Sequence, residues 1–234
     1  MLFSPQIPLQ LMPARDRRFE NFVSGPNRAV VKALQHLPDE PGSHVFLYGG
    51  DGSGKTHLLN AVCVETRERQ ARAFYLALKR LPKDAIASLQ GLEKLDLVCV
   101  DDLHVIAGDR AWEEALFHCF NRIREANGRL LVSSGERLSA LKLGLPDLAS
   151  RLAWGLRLQL APLEDHDKLA VINLHSDALG INLPDEVQHY LLKYHDRSMA
   201  ALIQAVENLQ QAALTHKRRI TIPLAREVLG INKE

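Results

Sequence analysis

Cysteine is scarce in this chain, and neither cysteine nor histidine is spaced as in a metal site. The cysteines are Cys63, Cys99 and Cys119, each inside an apolar stretch. An odd number without a C-x-x-C pair predicts buried thiols in a reducing compartment rather than disulfides. The ten histidines form no H-E-x-x-H or similar motif, which argues against zinc and other transition metals.

Long hydrophobic runs and a strong net charge are absent as well. No apolar run is long enough to cross a bilayer and there is no signal peptide, so we expect a cytoplasmic protein without a membrane partner. A net charge of +1 argues against a surface that coats nucleic acid, although it allows a local patch. The 234 residues suffice for one large domain or for a large and a small one.

What the chain does contain is a glycine-rich loop between a strand-like run, Val45–Tyr48, and a stretch of helical periodicity. It fits the pattern G-x-x-x-x-G-K-[ST], and its residues are Gly49, Gly50, Asp51, Gly52, Ser53, Gly54, Lys55 and Thr56. Backbone N–H groups and the helix N-terminus would bind phosphate, Lys55 would reach the outer phosphates and the Thr56 hydroxyl would bind Mg²⁺. The alternative is a glycine-rich turn that matches by chance.

A second motif supplies the acids of such a site. The apolar run before Asp101 and Asp102 reads as a strand that ends in two carboxylates. We assign Asp101 to Mg²⁺ and Asp102 to the attacking water, in keeping with the chemistry of phosphate-loop proteins. The alternative is a strand that ends in surface acids before a turn.

Strand-like runs alternate with helical stretches through the first two thirds of the chain. The strand candidates are Val45–Tyr48, Ala73–Leu78, Leu95–Val100, Leu130–Ser133 and Leu156–Leu160. Helices are predicted near 55–69, 81–90 and 111–126, the last of which stops at Asn127 and Gly128. This alternation predicts an α/β fold, a parallel five-stranded sheet flanked by helices.

The pattern changes after Pro162, where only helical periodicity remains. Helices are predicted near 164–179, 184–195, 198–216 and 223–229. The first 14 residues contain three prolines and no periodicity. We therefore predict a flexible tail over 1–14, a nucleotide-binding α/β domain over 15–162 and a small all-α domain over 163–234.

Two arginines and a pair of serines are further candidates for contacts with phosphate. Arg151 precedes the last strand and is either a residue that points at a neighbouring subunit's γ-phosphate or a solvated arginine at a helix end. Arg197 either closes over the phosphates or pairs with Asp196. Ser133 and Ser134 end the fourth strand, where serine can bind a phosphate or simply terminate the strand.

Together these motifs resemble the AAA+ ATPases, and within them the DnaA initiator group. Phe19-Glu20-Asn21-Phe22-Val23 is similar to the family's adenine-pocket segment, and Gly49–Leu59 to its G-G-x-G-x-G-K-T-H-L-L, which includes His57. Val100-Asp101-Asp102 is similar to its I-D-D, and Ser150-Arg151-Leu152 with Trp154-Gly155 to its S-R-F-x-W-G. The resemblance implies that Phe19 and Phe22 contact adenine, that Arg151 is a trans-acting arginine finger and that Arg197 is a sensor-2 residue.

The resemblance extends to what the chain lacks and to its first residues. The helix-turn-helix DNA-binding domain of DnaA has no counterpart after the lid-like helices, so we expect no direct reading of origin sequence. Gln6, Ile7, Leu9 and Leu11 fit the Q-x-x-L-x-[LF] peptide that docks on the bacterial sliding clamp. Taken alone, this hexapeptide is also compatible with a disordered apolar tail.

This combination is similar to the DnaA-homologous regulatory inactivators. It implies binding of the DNA polymerase sliding clamp (beta subunit), with DNA met only through the clamp, and contact with DnaA–ATP, whose hydrolysis Arg151 would stimulate. The chain would then be a negative regulator of replication initiation, an activator with weak or no ATPase activity of its own, holding ADP or ATP with Mg²⁺. A homodimer is compatible with the sequence.

Two alternatives stay open at this stage. One is an autonomous DnaA-like or helicase-loader ATPase that acts on DNA or on a helicase, which the complete phosphate loop favours. The other is a nucleotide-binding adaptor without a catalytic effect in trans. Arg151→Ala separates the adaptor from the activator.

Overall fold

The structure, a computed structural model, describes residues 17–230, and these residues divide into two units. The first unit contains residues 17–20, 29–49 and 54–160. The second contains residues 21–28, 50–53 and 161–230.

The first unit is built on five parallel strands in the order β2-β3-β4-β1-β5. The strands are β1 His44–Tyr48, β2 Ala73–Ala77, β3 Leu97–Asp101, β4 Arg129–Ser134 and β5 Leu156–Gln159. Every residue of β3 is buried, whereas three of the four residues of the edge strand β5 are exposed. The predicted parallel sheet is therefore confirmed, since central parallel strands are covered on both faces and read as continuous apolar runs.

Four helices belong to this part of the chain. They are α1 Arg28–His36, α2 Lys55–Glu68, α3 Arg110–Glu125 and α4 Pro146–Ala153. Helix α3 begins where the Asp109 side chain accepts hydrogen bonds from the Ala111 and Trp112 N–H groups, and it is followed by Asn127 at φ +56°. Its apolar face is buried in the core, where each large side chain contributes about 1.5–3 kcal/mol. The residues of this face are Trp112, Leu116, Phe120 and Ile123.

The helix predicted near 81–90 is wrong. The chain there forms short 3₁₀ turns, Leu78–Arg80, Ala85–Leu89 and Leu92–Lys94. Pro82 and Gly91, the latter at φ +78°, bound a stretch shorter than the roughly 12 residues that an α-helix needs without help from packing. The stretch is shaped instead by the burial of Ala85, Leu89 and Leu92.

The ends of the predicted strands shift by up to two residues, and no bounds were predicted for helices α1 and α4. Strand β3 begins at Leu97 rather than Leu95 and includes Asp101. Helix α4 has eight residues and Pro146 in its first turn. Its shortness explains why periodicity alone did not reveal it.

The second unit contains four helices over its larger segment: α5 Asp165–Ala178, α6 Asp185–Tyr194, α7 Met199–His216 and α8 Ile222–Leu229. All four agree with the sequence prediction within two residues. They share a separate apolar core, which includes Ile172, Val187, Leu191, Leu202, Val206 and Leu209. This core gives the helical unit its own source of stability.

The three cysteines are buried and free, as predicted. Burial raises the pKa of the Cys119 thiol to about 11, so it stays protonated and unreactive near neutral pH. Within residues 17–230, no helix has the length and apolar character needed to cross a membrane.

Candidate nucleotide-binding site

The phosphate loop leads directly into helix α2. Gly54 precedes the helix at φ +95°, a conformation that glycine adopts without the steric cost of a side chain. The buried Lys55 amine donates a 2.7 Å hydrogen bond to the carbonyl of Gly49, which keeps the ammonium group at the loop. The turn and the helix N-terminus create a positive site of the kind that binds phosphate.

Asp101 at the end of β3 accepts hydrogen bonds from three hydroxyl groups. One carboxylate oxygen, Oδ2, accepts from the Thr56 hydroxyl at 2.6 Å and from the Tyr75 hydroxyl at 2.7 Å. The other, Oδ1, accepts a short hydrogen bond from Ser133. Three donors from α2, β2 and β4 therefore fix the orientation of this buried carboxylate.

Asp102 lies beside this network in a left-handed conformation, at φ +64°. Its N–H group donates to the Ser133 hydroxyl at 3.1 Å. Burial, and secondly the neighbouring Asp101 charge, raise the pKa of the Asp102 carboxyl. A raised pKa makes the carboxylate a better proton acceptor, which suits the base that the sequence assigned to it.

The donor set at Thr56 and Asp101 fits Mg²⁺. Both residues offer hard oxygen atoms, and Mg²⁺ commonly uses one or two protein oxygens together with water and phosphate. Residues 17–230 contain no cluster of three or more His, Cys, Asp or Glu side chains able to hold a metal ion. A bound Mg²⁺ would supply charge neutralisation at the phosphates.

The middle of the loop, residues 50–53, belongs to the second unit. Gly52, at φ +72°, lies so close to the start of α7 that an added Cβ would be 3.2 Å from the Ala200 nitrogen. The Ser53 hydroxyl is buried and has no hydrogen-bond partner among the described residues. A buried hydroxyl without a partner costs free energy, and a phosphate oxygen would satisfy it. Asp51 is exposed.

The predicted adenine-contacting residues are both half-buried. His57 on α2 forms a 2.8 Å hydrogen bond with the Arg18 carbonyl, which ties down the backbone next to Phe19. Phe22 belongs to the second unit. The assignment of both phenylalanines to the base therefore stays a prediction.

Arg197, the predicted sensor-2 residue, forms an ion pair in the helical unit. Its guanidinium group donates to both oxygens of Asp165, at the start of α5, with the longer distance at 2.6 Å. Asp196, the partner considered from sequence, accepts instead from the Ser198 N–H group. The pair is exposed on both sides, so it is weak and exchangeable.

Arg151 lies in the last turn of α4 and contacts an aromatic ring. Its guanidinium carbon is 4.2 Å from the centroid of the Trp154 ring, and that of Arg124 from α3 is 4.9 Å from the same ring. The His44 side chain lies beside the Arg151 backbone, which opposes the lowering of the His44 pKa by burial. His44 also approaches Gly155 so closely that a Cβ added to Gly155 would clash with the His44 carbonyl oxygen.

Arg151 and the residues that follow it lie at the opposite end of β1 from the phosphate loop. His44 is the first residue of β1, and Gly49 of the loop follows its last residue, Tyr48. The parallel neighbour β5 starts beside Val45, with Leu156. The structure therefore separates Arg151 from Lys55, Thr56 and Asp101, which it brings together.

The sequence did not predict two residues of the site. Tyr75 donates to Asp101 from the neighbouring strand, and Asp165 pairs with Arg197. Their signals were a tyrosine in an apolar strand and an acid at a helix start. Ser133, predicted to bind a phosphate or to terminate the strand, donates to Asp101. The residues predicted to dock on the clamp, Gln6, Ile7, Leu9 and Leu11, lie outside the described residues.

The strand, the phosphate loop, the acid pair and the helical unit together define a phosphate-loop ATPase fold of the AAA+ class. A family model of the bacterial DnaA ATPase domain matches residues 14–159, and a model of the Hda lid domain matches residues 165–229. The chain belongs to the bacterial DnaA ATPase-domain family, and its lid is of the Hda type.

Solved structures agree with this assignment. Domain III of the replication initiation protein DnaA from Thermotoga maritima has a TM-score of 0.84 at 25% identity, over 94% of this chain and 99% of that one. AMPPCP-bound DnaA from Aquifex aeolicus has a TM-score of 0.70 at 22% identity, and the match covers 87% of this chain and 68% of that one. RuvB, the Holliday junction branch migration motor of Thermotoga maritima, shares the fold with a TM-score of 0.66 at 19% identity. The match covers 92% of this chain and 73% of that one.

Proposed function

We propose that this protein is an Hda-like regulator that inactivates DnaA by stimulating hydrolysis of the ATP that DnaA holds. It binds ADP or ATP with Mg²⁺ at its own phosphate loop, and it binds the sliding clamp on DNA. Arg151 acts on the nucleotide of the partner. The protein is then an activator in trans and a negative regulator of replication initiation.

The observation that carries this proposal is the position of Arg151 relative to the chain's own phosphate loop. Arg151 neighbours His44 at the start of β1, and the loop begins after Tyr48 at its end. Four steps along a parallel strand span about 13 Å. An arginine at that end serves a nucleotide bound by another molecule better than its own.

The chemistry expected of Arg151 is stabilisation of charge on a phosphoryl group in transfer. A finger supplied in trans raises such rates by about 10³–10⁵. Its guanidinium group is always protonated and presents several N–H donors in a plane, which suits phosphate oxygens. The activator therefore needs no acid or base of its own for this step.

Binding of nucleotide by this chain is supported by three features. They are the Gly54 turn with Lys55, the Thr56–Asp101 pair and the buried Ser53 hydroxyl. The likeness to AMPPCP-bound DnaA points in the same direction. In this proposal Phe19, Phe22 and His57 form the base side of the site, and Arg197 reaches the phosphates.

Binding of the clamp rests on the sequence. Gln6, Ile7, Leu9 and Leu11 provide a polar anchor and spaced apolar side chains of the kind that fill a preformed pocket. This interaction would confine the activator to DNA that already carries a clamp.

The test follows one turnover of radiolabelled ATP prebound to DnaA. The reaction contains this protein, sliding clamp loaded on DNA and an excess of unlabelled ADP. We expect the wild type to accelerate hydrolysis, Arg151→Ala to lose at least about 100-fold of that acceleration, and Gln6→Ala to need much more protein. Arg137→Ala, which removes an exposed arginine of the same domain, is the matched control and should act as the wild type does.

Two results would contradict the proposal. One is an Arg151→Ala variant that binds the clamp and still accelerates hydrolysis normally, because the finger would then lie elsewhere. The other is acceleration that does not depend on the clamp or on Gln6, because the tail would then have a different role.

The second candidate function is an autonomous DnaA-like or helicase-loader ATPase. The observation that favours it is the arrangement at Asp101 and Asp102, where a carboxylate held by three hydroxyl donors is followed directly by a second acid. This candidate predicts steady turnover of the chain's own ATP that falls sharply in Asp102→Asn. If that occurs while DnaA-bound ATP is unaffected, the autonomous ATPase is the better description.

A further inference from the structure

We infer that Trp154 is a positioning residue for Arg151, holding its guanidinium group in the orientation that a partner's phosphate requires. The inference rests on the proposed function of Arg151 and adds a second residue to it. It starts from the contact itself, since the guanidinium carbon of Arg151 is 4.2 Å from the Trp154 ring centroid. Indole gives the strongest attraction to cations among the aromatic side chains.

The main argument is that Arg151 contacts an aromatic ring rather than a carboxylate. Among the described residues, Arg151 forms no ion pair with a carboxylate, in contrast to Arg197, which binds Asp165. A carboxylate would compensate the positive charge and compete with phosphate. An aromatic ring restricts the side chain while it leaves the charge uncompensated, which is what an arginine that must bind an anion needs.

The exposure of the ring supports the same conclusion. Trp154 is 56% exposed, whereas the other tryptophan of the chain, Trp112, is 4% exposed and belongs to the core. The Trp154 ring borders an open cavity of 530 Å³, so little packing is gained from it. Most large apolar side chains of this domain are buried, and an exposed indole in contact with two arginines is consistent with a role at the surface.

The ring and the backbone are themselves held in place. Arg124 from α3 approaches the same ring, and His44 lies beside the backbone of Arg151 and packs closely against Gly155. The backbone that follows Arg151 is therefore packed tightly against the start of β1. The long side chain of Arg151 has the remaining freedom, and the indole limits it before the partner arrives.

A positioning role has its own kinetic signature. Substituting Trp154 should lower the maximal rate of stimulated hydrolysis more than it raises the protein concentration needed for half-maximal stimulation. We expect Trp154→Leu to reduce the maximal rate about 2- to 5-fold, the factor that an exposed cation–π contact supplies. Trp154→Phe retains an aromatic face and should stay within about 2-fold of the wild type.

The kinetic test is the single-turnover reaction on DnaA-bound ATP, titrated with the wild type and both variants. A reduced maximal rate in Trp154→Leu with recovery in Trp154→Phe is the expected result. Equal rates for all three proteins would overturn the inference while leaving the proposed function intact. An inactive wild type would instead overturn the proposed function, so the two failures are distinguishable.

A spectroscopic measurement on the protein alone examines the contact without DnaA. Because Trp112 is buried, a change in tryptophan emission on Arg151→Leu reports on Trp154. We expect a change in intensity or wavelength for Arg151→Leu and none for Arg137→Leu. Identical spectra for wild type and Arg151→Leu would mean that the stack does not form in solution, and the inference would fall.

Discussion

At the scale of single residues, hydroxyl groups determine how the acids of the site are oriented. Asp101 accepts hydrogen bonds from Thr56, Tyr75 and Ser133, which come from three different elements. Burial, and secondly the Asp101 charge, raise the pKa of Tyr75, so its hydroxyl stays a donor at all physiological pH values. The Ser133 hydroxyl therefore contacts both acids, because it donates to the Asp101 carboxylate and accepts from the Asp102 N–H group.

The partly buried His44 side chain, which lies beside the Arg151 backbone, makes the free energy of unfolding depend on pH. Burial lowers its pKa below 6.5, the neighbouring Arg151 backbone opposes this, and the Arg124 charge lowers it further. Between the lowered pKa and 6.5, the unfolded chain binds a proton that the folded chain does not. The free energy of unfolding therefore rises with pH in that window, and the contribution of His44 is complete above pH 6.5.

We therefore predict that acidification below pH 6.5, through the lowered pKa of His44, destabilises the wild type more than a His44→Gln variant. Urea unfolding at pH 7.5 and at pH 5 measures the difference. His118→Gln, which removes an exposed histidine of α3, serves as the control and should lose as much stability as the wild type. Equal losses in the wild type and in His44→Gln would contradict the prediction.

At the scale of secondary-structure elements, long periodic segments were predictable and short ones were not. Helices α3 and α7 span 16 and 18 residues and carry side-chain caps at Asp109 and Ser198. The stretch around 81–90 was wrongly predicted as a helix, and helix α4 was not predicted. Both segments contain only one or two turns. In such short segments the burial of a few side chains, such as Leu89 and Leu148, decides the conformation.

The starts of α5 and α7 together form the surroundings of Arg197. Asp165 occupies the first turn of α5, where a negative charge is favourable, and binds the guanidinium group that precedes α7. If Arg197 is to reach a phosphate, it must leave this pair. In that case the pair would compete with nucleotide.

This competition leads to a prediction for Asp165→Asn. Because an exposed ion pair is worth about 1 kcal/mol or less, we expect up to about 5-fold tighter binding of ADP. Titration with a fluorescent ADP analogue measures the affinity. Arg197→Ala should weaken binding, and Asp177→Asn, an exposed acid of the same helix, is the matched control. Weaker binding by Asp165→Asn would mean that the pair supports the nucleotide-bound state.

At the scale of the whole molecule, the structure contains two units with separate apolar cores. Of the phosphate-loop residues, Gly49, Gly54, Lys55 and Thr56 belong to the first unit and residues 50–53 to the second. The division into a tail over 1–14 and domains over 15–162 and 163–234 remains a prediction. Bound nucleotide should stabilise the folded state by mass action.

We predict that ADP with Mg²⁺ at 100 times its dissociation constant adds about 2.7 kcal/mol to the free energy of unfolding. For a protein of this size that corresponds to roughly 5–10 °C in the midpoint of thermal unfolding. Scanning calorimetry with and without ADP, and with EDTA in place of Mg²⁺, measures it. Lys55→Ala should abolish the increase, whatever its own stability. An unchanged midpoint for the wild type would contradict the nucleotide site.

The sequence by itself determined the features that depend on local spacing. The phosphate loop, the acid pair at the end of a strand, the parallel sheet and the helical lid all follow from residues close together in the chain, where periodicity and motif spacing act directly. The tertiary structure decided which distant residues meet. Tyr75 and Ser133 reach Asp101 across 26 and 32 positions, and Arg124, from a different helix, approaches the ring beside Arg151. These contacts depend on strand order and side-chain rotamers, because only the packed sheet brings neighbouring strands and helices within hydrogen-bond or stacking distance.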